Sequence, residues 1–301
     1  MKILLLGARG QLGWQLQRSL AVLGDVTALH RGSAPLCGDL SKPDVLAQTV
    51  RTLAPDAVVN AAAYTAVDKA ETDRDLAWAI NGTACDVLAR ECATLGAWLV
   101  HYSTDYVFNG TGDRAWTEAD PTAPLNAYGA SKLAGEQAIT AQHAKHLIFR
   151  ASWVFDTWGG NFLKSILRAA QQRDSLNVVN DQFGAPTRAA LMADVTAHVL
   201  ARLRGGGQDR LAGIYHLAAA GVTQWHEYAS FAIAEARAAG MPVQARAIHP
   251  IAATQYPTPA ARPANSRLDT TRLRETFGLV LPPWQDGVRA VVAELAAKPF
   301  P

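Results

Sequence analysis

The chain has 301 residues, 49% of them apolar and 18% charged, with 28 Lys plus Arg against 26 Asp plus Glu and a net charge of +2. A chain this long and apolar buries a real core, which excludes disorder, and the near-neutral balance without like-charge runs excludes a nucleic-acid stripe. At ~150 residues per domain the length predicts about two domains, or one α/β domain with an appended lobe. In chain order, Lys2–Leu6 reads as a strand, and a glycine turn then opens a helix patterned on Leu12, Leu16, Leu20 and Leu23. Asp25–Leu29 is a second strand. Ser41 is placed to cap a helix with Pro43 in its first turn, running to Leu53. Ala57–Asn60 is a strand, and Asp73–Leu95 reads as one long helix stopped by Gly96. Strand Trp98–Ser103, helix Tyr128–Gln142 and strand His146–Ala151 continue the alternation. Beyond them, the loop Gly205–Gly207 separates a helix from the strand Ile214–Leu217, and Thr223 is placed to cap a helix through Ala239. The proline-rich stretch Pro250–Asn265 reads as a loop or lid. Strands alternating with helices predict an α/β fold, a Rossmann-type doubly wound parallel sheet, with a smaller mixed α/β lobe.

No stretch approaches the ~20 apolar residues of a membrane span. The apolar run after Met1-Lys2 is cut by Gly7 and Arg9, too short for a secretory leader. Cys37, Cys85 and Cys92 are odd in number, and Cys85 and Cys92, seven apart, share one helix face. They read as buried free thiols. Without Cys-x-x-Cys or His-Glu-x-x-His, no metal site is expected, and the chain is expected in the cytoplasm.

Gly7-Ala8-Arg9-Gly10-Gln11-Leu12-Gly13 stands between the first strand and the first helix. A dinucleotide phosphate needs a tight turn, close backbone approach and a helix N-terminus, and Gly7, Gly10, Gln11, Leu12 and Gly13 are the candidate contacts. The acidic residue that usually follows ~20 positions later to bind the ribose 2′-hydroxyl is replaced by His30 and Arg31. A guanidinium pairs with a 2′-phosphate, so Arg31 predicts NADP(H) in preference to NAD(H). Asp39 and Leu40 mark an edge for the adenine, and Ala61, Ala62, Ala63 and Tyr64 end a strand in small residues that let a cofactor approach the backbone.

Tyr128 and Lys132 form a Tyr-x-x-x-Lys pair on one helix face, in which an ammonium beside the phenol is expected to lower its pKa. They follow Thr104, at a strand's carboxyl end, by 24 and 28 residues. The three make a hydroxyl–phenol–ammonium set suited to carbonyl reduction.

These segments resemble the extended short-chain dehydrogenase/reductase family, and within it the reductases of nucleotide-linked 4-keto sugars. The resemblance runs along essentially the whole chain: the glycine turn, Asn60–Glu71, Ser103–Gly110, Pro124–Glu136, Arg150–Val154 and Asn180–Thr187. It implies that NADPH reduces the C4 ketone of dTDP-4-dehydro-β-L-rhamnose, the last step toward dTDP-L-rhamnose, a cell-surface polysaccharide precursor. Tyr128 supplies the proton, Lys132 positions the ribose, and Thr104 holds the sugar oxygen. Asp105 and Trp153 are implied as substrate residues, and Asn161, Phe162, Gln182 and Arg262 as candidates for the nucleotide, Arg262 for its diphosphate. Residues 1–151 and about 188–225 are expected in the dinucleotide domain, and 152–187 and 226–301 in the nucleotide-sugar lobe. Some relatives dimerise through magnesium held by carboxylates; here the corresponding places hold Gln15, Ala190 and only Glu294, so magnesium is doubtful and a monomer or weak homodimer is expected. An epimerase or dehydratase on the same fold, or a cofactor-bound subunit without turnover, are the alternatives.

Overall fold

The structure, a computed structural model, describes residues 1–204 and 207–297. Six parallel strands lie in the order β10-β5-β4-β3-β1-β2: β1 (Lys2–Leu6), β2 (Asp25–Leu29), β3 (Ala57–Asn60), β4 (Trp98–Thr104), β5 (His146–Ala151) and β10 (Gly213–His216). Leu6 stands opposite both Leu29 and Asn60, which brings three strand ends to one edge. The central strand shows why the sheet is covered twice. Ile3 and Leu5 face a core with Leu16 and Leu20 of α1 (Gln11–Ala21) and Val199 and Leu200 of α7 (Ala189–Leu203). Leu4 and Leu6 face the opposite core, with Val50 of α2 (Pro43–Leu53) and Leu88 and Cys92 of α4 (Ala84–Leu95). Alternate residues of one strand therefore feed two layers of helices.

Three local expectations change. The helix read as continuous over 73–95 is α3 (Arg74–Trp78), a wide π turn at Ala79–Thr83 and then α4, closed by Gly96 in the left-handed region. The wide turn presents Asn81, whose amide oxygen accepts from Tyr64 N at 2.9 Å while its nitrogen donates to Tyr64 O at 3.0 Å. Ser41 does not cap α2; its main-chain N–H and hydroxyl both donate to Asp39 Oδ1. Nor does Thr223 cap the helix α8 (Trp225–Ala238): the Gln224 side chain does, while Thr223 donates to Glu227. Gly205 and Gly206 of the expected glycine loop lie outside the described residues. Cys85 and Cys92 are buried free thiols, whereas Cys37 is half-buried.

The remaining strands are short: β6 (Val154–Phe155), β7 (Ser175–Val179), β8 (Phe183–Gly184), β9 (Thr187–Arg188), β11 (Thr223–Gln224) and β12 (Ala247–Ile251). They pair two by two. A second core gathers Leu163 and Leu167 of α6 (Phe162–Gln172), Tyr228 and Ile233 of α8, and Trp284, Val288 and Val292 of α10 (Trp284–Ala296). Between α8 and α10 the chain returns to the large sheet, where Leu273 and Phe277 of α9 (Thr271–Phe277) join the first core.

The helix α5 (Ala127–Gln142) is tied to β5 by Glu136 and Arg150, whose side chains are 2% and 4% exposed and meet at 2.6 Å. Removing one partner strands a buried charge, so Glu136→Ala is expected to lower stability by about 3–5 kcal/mol. The urea midpoint of the variant measures this, and an unchanged midpoint refutes it.

Candidate active site

The carboxyl ends of β1, β3 and β4 open into a cleft of about 800 Å³. Its floor is built by glycine. Gly7 has φ +86°, and a Cβ there would fall 2.7 Å from the main chain of Ala61 and Ala62. A Cβ on Gly13 would fall 2.0 Å from Gly7 O, so the first turn of α1 sits directly on the loop. That helix has Gly10 at its N-cap and no side-chain cap, which leaves first-turn N–H groups for an anion. The main chain at Ala61–Ala63 lines the opposite wall. These features fit a dinucleotide. Arg31, Asp39 and Leu40 also line the cleft, and no acidic side chain follows Leu29 on β2.

Thr104, Asp105, Tyr128, Lys132, Trp153 and Arg262 converge on the same space. Thr104 ends β4; its hydroxyl donates to Asp105 Oδ1 at 3.1 Å and accepts from Tyr106 N at 3.1 Å. Ser103 Oγ and Asp105 Oδ2 are buried without a hydrogen-bond partner among the described residues. Burial lifts the Asp105 carboxyl to about 6, against the nearby Ser266 and Thr104 hydroxyls, which pull it down. Burial and then Asp105 hold the Tyr128 phenol above its ordinary range, with the Thr104 hydroxyl opposing. Lys132 is not among those influences. Its Nζ donates to the Tyr102 carbonyl at 2.7 Å and meets His101 Nε2 at 3.1 Å. The expected lowering of the phenol by an adjacent ammonium is therefore corrected: the phenol is shifted up, and burial also pushes the Lys132 amine down.

Trp153 takes φ +48°, a left-handed conformation that a bulky residue adopts at a cost. Its indole stacks on Trp225 with ring centres 3.7 Å apart, and a Cβ on Gly184 would fall 2.8 Å from it. Arg262 pairs with Asp68 at 2.7 Å, which joins the loop after β3 to the 250–265 stretch. Five of the expected contacts stand behind the wall rather than on it. Gly13 lies under the turn, and Tyr64 is held by Asn81 and by Asp73, to which its hydroxyl donates. Asn161 caps α6 and donates to Gln11 Oε1 at 2.8 Å. Phe162 packs on Trp225, and Gln182 accepts from Trp225 Nε1 at 3.2 Å. Trp225 itself lines the cleft, as does Met192, neither of which any motif marks in the sequence; His30, beside Arg31, and Thr65 and Val67, within the 60–71 segment, line it too.

A segment of the smaller lobe reaches back to the glycine turn. Trp158 Nε1 donates to Arg9 O at 2.8 Å and its ring stacks on Trp14 at 4.5 Å. Gly159 lies against Gln11. Of the positions that the resemblance singled out for magnesium, Gln15 and Ala190 carry no carboxylate and Glu294 pairs with Arg188. Among the described residues no cluster of three His, Cys, Asp or Glu could hold a metal, and no helix is long and apolar enough to cross a membrane.

Fold and cleft together define a class, the nicotinamide-dependent enzymes of the extended short-chain dehydrogenase/reductase type. Residues 1–297 match the family model described as the RmlD substrate binding domain. The chain is 52% identical over 295 residues to the dTDP-4-dehydrorhamnose reductase of Escherichia coli K12, covering 98% of both chains. A solved dTDP-4-dehydrorhamnose reductase from Clostridium acetobutylicum superposes with TM-score 0.88 at 31% identity, covering 98% of this chain and 99% of that one. The enzyme of Bacillus anthracis in complex with NADP superposes with TM-score 0.86 at 34% identity, covering 98% and 100%. The chain belongs to the dTDP-4-dehydrorhamnose reductase family.

Asp105 is a stability cost as well as a site residue. Its folded value near 6 exceeds the ordinary 3.8, so the folded state binds the extra proton and wild-type stability falls as pH rises from about 4 to about 6. Asp105→Asn is expected to remove that dependence and to unfold at a higher temperature at neutral pH. Thermal melts of both proteins across the window test this; parallel curves refute it.

Proposed function

We propose that this chain uses NADPH to reduce the C4 ketone of dTDP-4-dehydro-β-L-rhamnose to dTDP-β-L-rhamnose. The observation that carries the reading is the convergence of Thr104, Tyr128 and Lys132 on a cleft floored by the glycine turn. Bound reduced nicotinamide supplies a hydride. As C4 gains that hydride, the ketone oxygen gains negative charge, and Tyr128 gives it the phenolic proton, becoming the phenolate. A phenol held above its ordinary range keeps its proton at neutral pH, which is the form a proton donor needs. Thr104 orients the ketone oxygen, and the unpartnered Asp105 Oδ2 is left to accept from a sugar hydroxyl. Trp153, fixed between Trp225 and Gly184, offers an apolar face to the 6-methyl group. Arg262 supplies a fork for the diphosphate beside Asp68. Lys132 has hydrogen-bonding capacity left over for the nicotinamide ribose.

The lobe division above supports binding of the cofactor on the large sheet and of the sugar nucleotide against the second core. Glu294, held within the chain by Arg188, supports a monomer or weak homodimer without bridging magnesium. Unpaired Cys37, Cys85 and Cys92 suit the reducing cytoplasm.

Tyr128→Phe is expected to lower kcat by about 10²-fold or more while NADPH still binds. The assay follows NADPH oxidation with enzymatically made dTDP-4-dehydro-L-rhamnose and identifies the product; a fully active variant removes Tyr128 as the acid. Arg31→Ala is expected to raise KM for NADPH about tenfold, the loss of one charge-assisted pair, with KM for NADH little changed. Equal effects on the two cofactors would refute the 2′-phosphate contact.

A further inference from the structure

Two large aromatic side chains lie beside the glycine turn with nearly half their surface exposed: Trp14 on α1 (49%) and Trp158 in the smaller lobe (43%). Their rings stack face to face, 10° from parallel. The Trp158 indole gives its one N–H to the Arg9 carbonyl. That carbonyl belongs to the same peptide unit as the Gly10 N–H, which donates to Gly7 O at 2.9 Å. A trans peptide unit is rigid, and its C=O and N–H point in opposite directions. The unit is therefore held at both ends, one end inside the turn and the other in the smaller lobe. Gln11, the next residue, is held from the same side. Asn161 donates to its Oε1, and a Cβ on Gly159 would fall 2.9 Å from its Cγ. The segment that carries Trp158 is itself fixed. Lys164 Nζ donates to the carbonyls on either side of the tryptophan, Thr157 O at 3.0 Å and Gly159 O at 2.9 Å. Asn161 also donates to Asp156 O at 2.7 Å, and Gly159, at φ +76°, lets the chain reverse after the indole.

We propose that Trp158 is a positioning residue for the dinucleotide: through the Arg9 carbonyl it holds the 9–10 peptide in the orientation that keeps the first-turn N–H groups of α1 facing the cleft. Trp158 does not itself line the cleft, whereas Arg9, Gly10 and Gln11 do. Its action is therefore indirect. The turn is ordered on folding, so less ordering remains to be met on binding, and affinity rises without a new contact to the ligand. The turn faces the diphosphate, which NADPH and NADH share. The effect is thus the same for both cofactors and leaves the discrimination expected at Arg31 untouched. The inference rests on the reading of the cleft as a dinucleotide site and not on the identity of the sugar.

The test titrates NADPH and NADH into the full chain by calorimetry, with no sugar nucleotide present. Trp158→Phe keeps an aromatic ring against Trp14 and removes the N–H. Its Kd is expected to rise for both cofactors by one common factor, about three- to tenfold, the worth of a single hydrogen bond. The melting temperature of the cofactor-free variant is expected to stay within about 3 °C of wild type. A purely structural role lowers the melting temperature and leaves Kd unmoved, and an unmoved Kd overturns the proposal. A rise for NADPH alone also overturns it, because that pattern belongs to the 2′-phosphate. A second readout needs no cofactor. In protein labelled with nitrogen-15 tryptophan, the Trp158 indole signal is assigned by its loss in Trp158→Phe. Its N–H is expected to exchange with water more slowly than that of free tryptophan, and exchange at the free rate overturns the proposal. If the wild type binds neither cofactor, the dinucleotide reading falls and the proposal with it; if it binds both and the variant binds them equally well, the proposal alone falls. None of these measurements depends on turnover, so a failure to reduce the sugar nucleotide refutes only the activity.

Discussion

Everything in the cleft depends on how closely two pieces of main chain approach at the edge of the sheet. Gly7 rests against Ala61 and Ala62, and Gly13 rests on Gly7, at separations that leave no room for a side chain. The loop after β1 is thereby held against the end of β3, and the start of α1 is aimed across it. The same contact sets the depth of the cleft. It places Asn60, one residue before Ala61, at the inner end of the hydrogen-bond chain that reaches Lys132 through His101.

The site is assembled from polar groups that a stability-driven core would exclude. Asp105 and Ser103 are buried with oxygens unpartnered, and Lys132 is buried beside His101 and the Tyr102 carbonyl. The cost is offset by firm ion-paired and hydrogen-bonded surroundings: the Glu136–Arg150 pair anchors the helix that carries Tyr128 and Lys132, and Asn81 in its wide turn clasps the loop at Tyr64. Preorganised dipoles in a water-poor cleft stabilise developing charge without reorganising, which is the use a reductase has for them.

The sheet was legible because each strand is a short apolar run bounded by a turn, and because glycine spacing between a strand and a helix has one dominant physical reading. Tyr128, Lys132 and Thr104 were legible for a similar reason: their periodicity puts them on known faces. The break in the helix over 73–95 was not, since Asn81 and Gly82 differ little from ordinary helix residues until α5 packs against them. Gly135 approaches Asn81 O so closely that a Cβ would sit 2.1 Å away. Trp225 was invisible for the same kind of cause. It reads as the first residue of an amphipathic helix, and only folding stacks it beneath Trp153. The contacts of Lys132 were not legible because spacing reveals neighbours on the helix, while His101 and Tyr102, which its Nζ meets, come from a strand.

The contact between Trp158 and Arg9 makes the glycine turn face two ways. Its N–H groups face the cleft while the Arg9 carbonyl and the Gln11 side chain face the smaller lobe, through Trp158 and Asn161. The seating of the smaller lobe and the shape of the glycine turn are thus joined at one tryptophan, so that any displacement of the one would be felt by the other.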